Sequence, residues 1–261
     1  MKAFKGLFYK ELKLTKNWFM VGIALLLFVI IIGIGLTKYF NEPNIFAVVA
    51  VMILVGHGLY LPAYLLSSLN IEGQTQLWLH NPNSGAVLFL AKLTAGIVLY
   101  LVSFFISLAV AILGLTYSDH IETLFNLTGG PAFNITLMGV GITLGTLFLG
   151  IWVLFYWSLF HSVKNVPILH SFRWPIVVGT WILITAIGNY VSNLPMYQKL
   201  KNIGVIKLDT YSIEFEAGKA SASAGFVESA ELSIMNGIIY TVIVIIVFYA
   251  AVWLLERKVE V

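Results

Sequence analysis

The chain has 261 residues, 59% of them apolar and 10% charged, against roughly 25% charged in an ordinary soluble domain. A mean hydropathy of +0.93 and recurrent apolar runs longer than about 18 residues exclude a water-soluble globular domain. Cysteine is absent, which excludes a disulfide framework, a thiolate nucleophile and cysteine-ligated metal; the net charge of +3 matters less than where the lysines fall.

The fold class this implies is an all-α polytopic membrane protein, one transmembrane domain over residues 1–261. A spanning β-barrel reads as segments of about 10 residues with alternating polarity, whereas Val21 to Gly35 and Ile238 to Leu255 are apolar on every face. Residues 1–17 set Lys2, Lys5, Lys10, Lys13 and Lys16 around Phe4, Leu7, Phe8 and Leu12, the pattern of an amphipathic interfacial helix. A cleaved leader is disfavoured, because the apolar stretch Phe19 to Leu36 is longer than an ordinary leader core and ends without a small-residue cleavage site.

Six spans follow, approximately Trp18 to Leu36, Ile45 to Leu66, Val87 to Leu115, Ile135 to Phe160, Trp174 to Val191 and Ile234 to Leu255. An even number places both termini on one side. The segments on that side hold ten basic residues and those opposite hold five, so both termini are expected in the cytoplasm. Two connections are large. Residues 67–86 form a cytoplasmic loop, with Lys92 beyond it able to snorkel, and residues 192–233 form an external loop read as a small cap between the fifth and sixth spans. In that cap Tyr211, Ile213 and Phe215 alternate with Ser212, Glu214 and Glu216, a strand-like period of two, while Ala217 to Ala230 is small and rich in Ser, Ala and Gly.

Several chemistries are missing. The Gly218-Lys219 pair is followed by Ala220 and sits in no phosphate-cradling P-loop. No H-E-x-x-H or G-x-S-x-G occurs, and nothing points to a metal site, a catalytic residue or nucleic-acid binding. The chain is therefore expected to be no enzyme and to bind no cofactor itself. His57, in Val55-Gly56-His57-Gly58, lies at membrane depth, where an ionisable group either serves substrate or gating, or is a neutral ring bonded to a neighbouring helix. Gly56 and Gly58 would let another backbone approach, and Pro62 would loosen the helix one turn later. No Asp or Glu falls within the spans as drawn, which disfavours proton-coupled transport. Tyr60, Thr180, Thr185 and Asn189 join His57 as a possible substrate path, with interhelical hydrogen bonding the alternative for the fifth-span residues. Gly141 and Gly145 form a G-x-x-x-G, with Gly150 beyond, serving internal packing or a subunit contact. Tyr156, Trp157, Trp174, Trp181 and Tyr190 lie near span ends, as an interfacial aromatic belt would.

The first inner loop is longer than an ordinary connector of 2 to 8 residues, and it keeps Trp78 and Leu79 at the water-facing side, which points to contact with something outside the chain. Here the order of elements resembles the membrane subunit of the type-2 class of ABC exporters. The resemblance rests on the basic elbow with Lys10-Glu11-Leu12, the six spans, the loop between spans two and three, and the enlarged connection before span six. Within the loop Glu72, Thr75, Leu77, Leu79, Pro82 and the later Lys92 look like the family's pattern, although Asn83 and Ser84 stand where basic residues commonly follow the proline. The resemblance implies a permease that pairs with a second permease, identical or related, in a bacterial cytoplasmic membrane. It also implies a separate cytosolic ATPase, with ATP and Mg bound there, whose groove receives the loop: Trp78 and Leu79 as apolar wedge, Glu72, Gln74, His80 and Asn81 as polar contacts, Thr75, Leu77 and Pro82 completing the segment. The cargo expected is amphipathic or hydrophobic, a peptide, toxin or antibiotic. Two other classes stay open: a stand-alone secondary transporter or channel working through His57, and a membrane immunity or scaffold protein working through its outer loop.

Overall fold

The computed structural model describes residues 2–42, 44–75, 83–116, 130–164, 170–215 and 222–259. The helices are α1 (Lys2–Phe40), α2 (Asn44–Gly56), α3 (Tyr60–Thr75), α4 (Gly85–Thr116), α5 (Gly130–Lys164), α6 (Arg173–Ser192), α7 (Pro195–Lys201) and α8 (Ile234–Leu254). A 3-10 turn at His57–Leu59 joins α2 to α3, and an antiparallel pair, β1 (Val205–Phe215) and β2 (Ala222–Ser233), precedes α8. Among the described residues six segments are long and apolar enough to cross a membrane: Ala3–Phe40, Asn44–Gly73, Gly85–Gly114, Met138–Val163, Arg173–Ser192 and Ile234–Arg257. The chain is a multi-pass helical membrane protein.

The basic amphipathic segment is the opening of α1 and not a helix of its own. Nothing between Lys10 and Met20 is Gly or Pro, so nothing interrupts the hydrogen-bond ladder. At 1.5 Å per residue α1 is about 58 Å long, nearly twice the roughly 30 Å hydrocarbon core, and its basic turns extend beyond that core. The helix ends on Asn41 at φ 51°, with the Glu42 amide donating to the Thr37 carbonyl at 3.2 Å, a left-handed closure suited to asparagine.

Pro62 explains the break in the second span. It lacks an N–H, and its ring would clash with the Gly58 carbonyl in an unbroken α-helix; the chain answers with the 3-10 turn. The Leu61 amide donates instead to the Thr146 hydroxyl of α5 at 3.2 Å, keeping a buried donor paired.

The chain divides into two compact units. One comprises residues 1–118, 142–179 and 244–261, the other residues 119–141 and 180–243. The core of the first repeats Leu61, Leu65 and Leu69 along one face of α3, packed with Phe89 of α4, Leu154 and Trp157 of α5, and Ala251 and Leu255 of the last span. Within this core, close approach depends on Gly96 and Gly150. A Cβ on Gly96 would lie 2.6 Å from Leu61 Cδ1 and 2.7 Å from the Tyr64 ring, and one on Gly150 would lie 3.1 Å from Leu61 and Leu65. Cβ atoms on Gly56, Gly58, Gly141 and Gly145 would meet nothing within 4 Å, so none of these four serves close packing among the described residues.

In the second unit β1 and β2 pair from Val205↔Ser233 to Phe215↔Ala222, with an irregularity between Leu208 and Thr210. The alternation at Tyr211 to Phe215 anticipated β1; β2 falls in the small-residue run, where β-propensity is low and pairing to β1 decides. Ser233 caps α8 by accepting the Asn236 amide at 3.1 Å, and the Tyr197 hydroxyl donates to Asn236 Oδ1 at 2.6 Å.

Candidate functional site

Four charged side chains from three helices meet at the N-terminal end of α1. Lys92 on α4 donates to Glu11 Oε1 and Oε2, each at 3.0 Å, and to Ser68 Oγ at 2.8 Å; its Nζ is 2.9 Å from Glu72 Oε2. Ser68 in turn donates to Glu11 Oε2 at 2.9 Å. The other Glu72 oxygen accepts from Lys10. An ammonium has three protons, and here Glu11, Glu72 and Ser68 supply one acceptor group for each. Two lysines and two glutamates make the group formally neutral, which is how charge tolerates burial.

The helical register places these groups. Ser68 and Glu72 are four apart on α3, so both face the same way. Lys10 and Glu11 leave α1 on adjacent directions, Glu11 inward and Lys10 at the rim with about a third of its side chain exposed. Lys92 is 3% exposed as a side chain, so it does not snorkel; its stem is enclosed and its charge is met inside. Glu72 is also buried. It lies in the last turns of α3, inside the second span as the structure draws it. Gln74 and Thr75 are the end of α3; their side chains, and Leu77, Trp78, Leu79, His80, Asn81 and Pro82, lie outside the described residues. The segment resumes at Asn83. The Gly85 amide, at the start of α4, donates to Glu256 Oε1 of the C-terminal turn at 2.8 Å, a carboxylate at the positive end of a helix.

His57 is occupied on both ring nitrogens. Nδ1 is 2.8 Å from the Ile53 carbonyl, which can only accept, so Nδ1 carries the hydrogen. Nε2 then accepts from Ser103 Oγ at 2.9 Å, while Ser107 donates to the Ser103 carbonyl at 3.0 Å. The ring also stacks on Tyr60, centroids 6.0 Å apart. His57 and Tyr60 together line a cavity of about 550 Å³ between α1 and the second and third spans. Thr180, Thr185 and Asn189 belong to the other unit; Thr185 and Asn189 are exposed on α6, a helix with no buried residue.

The aromatic residues near the span ends differ in exposure. Trp174, Trp181 and Tyr190 are exposed, whereas Trp157 is buried, donates from Nε1 to Asn70 Oδ1 at 3.1 Å and stacks on His161 at 4.0 Å. Glu11 and Ser68 are the site residues that pattern reading missed. The available signal was the Leu61, Leu65, Leu69 stripe, which carries the helix past Leu66 and turns Ser68 and Glu72 toward neighbouring helices.

No protein-family model matches the chain, and no solved structure matches it. Along its whole length, and the whole length of the relative, the chain is 27% identical over 271 residues to a protein of Bacillus subtilis (strain 168) described as "Uncharacterized protein YhcE".

Proposed function

We propose that this chain is the permease subunit of an ATP-driven exporter of the type-2 ABC class, with both termini in a bacterial cytoplasm and an amphipathic or hydrophobic cargo. ATP and Mg would be held by a separate cytosolic ATPase, and a second permease would complete the pathway. One observation carries the reading: the group formed by Lys10, Glu11, Glu72 and Lys92 ties the basic elbow, the end of the second span and the start of the third into a single node, and Glu72 stands four positions before residues 76–82 in the sequence. A loop that receives force from a partner must be mounted so that displacement reaches the spans without loss in its supports. Glu72 near the end of α3 and the Glu256-capped start of α4, the elements that precede and follow that loop in the chain, would supply such mounting. On this reading Trp78 and Leu79 enter the ATPase groove, with Gln74, Thr75, Leu77, His80, Asn81 and Pro82 around them.

The test is co-purification. The tagged chain is extracted from its native host in mild detergent beside a Trp78→Ala, Leu79→Ala variant at matched expression. A P-loop ATPase retained by the first and lost by the second is the expected result. Folded, monodisperse protein with no ATPase in either preparation would overturn the reading and return attention to a stand-alone transporter or a scaffold.

A further inference from the structure

We propose that the cavity beside His57 holds one acyl chain of a membrane glycerophospholipid, its headgroup at the Thr15 end near Lys13 and Lys16. The inference rests on the cavity and on the lysines beside its Thr15 end, and does not depend on the exporter reading. Its volume, about 550 Å³, falls within the range of roughly 300 to 1,000 Å³ found for ligand sites. Its shape is long. The α1 wall runs from Thr15 to Val29, about 21 Å at 1.5 Å per residue, which exceeds the roughly 15 Å of hydrocarbon in one leaflet. A compact ligand would leave most of that length empty; an extended chain lying along α1 fills it.

The lining is graded in polarity. The hydroxyls of Thr15, Tyr64 and Ser67 lie toward one end, and Val29 and Ile53 toward the other. Among the described residues that line it there is no Asp, Glu, Lys or Arg. Midway, His57 and Ser103 are committed to each other and to Ile53, and Ser103 accepts on its carbonyl from Ser107. They offer little to water, which needs two to four polar partners to stay in a cavity. An empty space this large would forfeit dispersion contacts along its whole lining. A hydrocarbon chain restores them and asks for no hydrogen bond.

Access is lateral. Trp18 and Leu25 on the cavity wall are 64% and 65% exposed, so a chain can enter from the bilayer between helices. Gly22 keeps the space open, since a Cβ there would meet nothing within 4 Å. Lys13 and Lys16 are exposed on the turn of α1 that carries Thr15, and basic groups at the membrane surface attract anionic headgroups. The lipid is therefore drawn from the leaflet on the N-terminal side of α1.

The test uses the full chain reconstituted, with no transport substrate present, in nanodiscs carrying a trace of phosphatidylglycerol with a photoactivatable group in mid-chain. Cross-linked peptides are mapped by mass spectrometry. Adducts are expected to concentrate on Gly22, Leu26 and Ala63, and Gly22→Leu with Ala63→Leu should reduce them roughly tenfold while labelling of the outward-facing Ile31 is unchanged. Replacing the probe by its phosphatidylcholine counterpart should weaken wall labelling in the unaltered chain, and Lys13→Gln with Lys16→Gln should erase that difference. Adducts as dense on Leu27, Phe28 and Ile31 as on the cavity wall would overturn the proposal. Should the filled variant not fold, the map on the unaltered chain decides the question by itself.

Discussion

Lys92 and Glu11 stand 81 positions apart in the chain and 3.0 Å apart in space, each 3% exposed at its side chain. Neither charge can relax into water if its partner is removed. Losing one member of a buried pair is expected to cost about 3 to 5 kcal/mol, because the other charge stays buried and unmatched. Lys92→Met should therefore lower the thermal midpoint of the detergent-solubilised protein more than any other single change in the group. Glu11→Gln added to Lys92→Met should recover part of the loss. Lys10, partly exposed and serving one oxygen of Glu72, should matter least. Intrinsic fluorescence follows the transition through the seven tryptophans, and equal losses for Lys10→Met and Lys92→Met would show that the group is not organised around Lys92.

What sequence reading could reach follows from which forces are local. Span number comes from runs of apolar residues, and all six were legible with ends within a few turns. Pro62 foretold the break after His57, because its missing N–H and its ring act within one helical turn. The union of Glu11, Glu72 and Lys92 was not legible, since it depends on how three helices rotate against one another and no rule of spacing connects positions 11, 72 and 92. The resemblance singles out Glu72 and Lys92 within one motif but says nothing of their contact, and the snorkelling read for Lys92 from its position does not occur because its ammonium is met inside. The end of the second span was misplaced for a local reason. Ser67, Ser68, Asn70 and Glu72 look like a loop by polarity, but Leu65 and Leu69 keep the helical face going to Thr75.

The hydrogen bond from the Leu61 amide to Thr146 isolates one polar contact in an apolar core. Thr146 is fully buried. Thr146→Val keeps the shape and removes the acceptor, leaving a buried N–H unpaired at a cost of about 1 to 3 kcal/mol. Thr146→Ser retains the acceptor and should lie nearer the parent protein in the same fluorescence melt. If valine and serine behave alike, the break at Pro62 is held by packing and not by this hydrogen bond.

Glycines divide into two groups with opposite expectations. Gly96→Ala forces a Cβ to within 2.6 Å of Leu61 and 2.7 Å of Tyr64, and overpacking of this kind costs about 1 to 3 kcal/mol. Gly141→Ala and Gly145→Ala meet open space and exchange glycine for a better helix former, a gain of up to about 1 kcal/mol each. Stability and self-association are measured together, by thermal melting and by the mass of the detergent-solubilised particle. A Gly145→Ala chain that is as stable as the parent but less associated would place that glycine in contact with a second copy.

Orientation can be read because the chain has no cysteine, so any thiol introduced is the sole site of reaction. Glu42, in the turn after α1, and Ser171, in the turn before α6, are both exposed and lie on opposite sides if the spans alternate. The excess of basic residues in the N-terminal segment and alternate loops predicts that the N-terminus is cytoplasmic. A membrane-impermeant maleimide applied to intact cells should then label Glu42→Cys and not Ser171→Cys, with both labelled once the cells are opened. The reverse pattern would put the buried Lys92 group and residues 76–82 on the outer side, where a cytosolic ATPase cannot reach them, and would remove the exporter reading whatever its other support. Labelling of both in intact cells would mean that one of the intervening segments does not cross the bilayer.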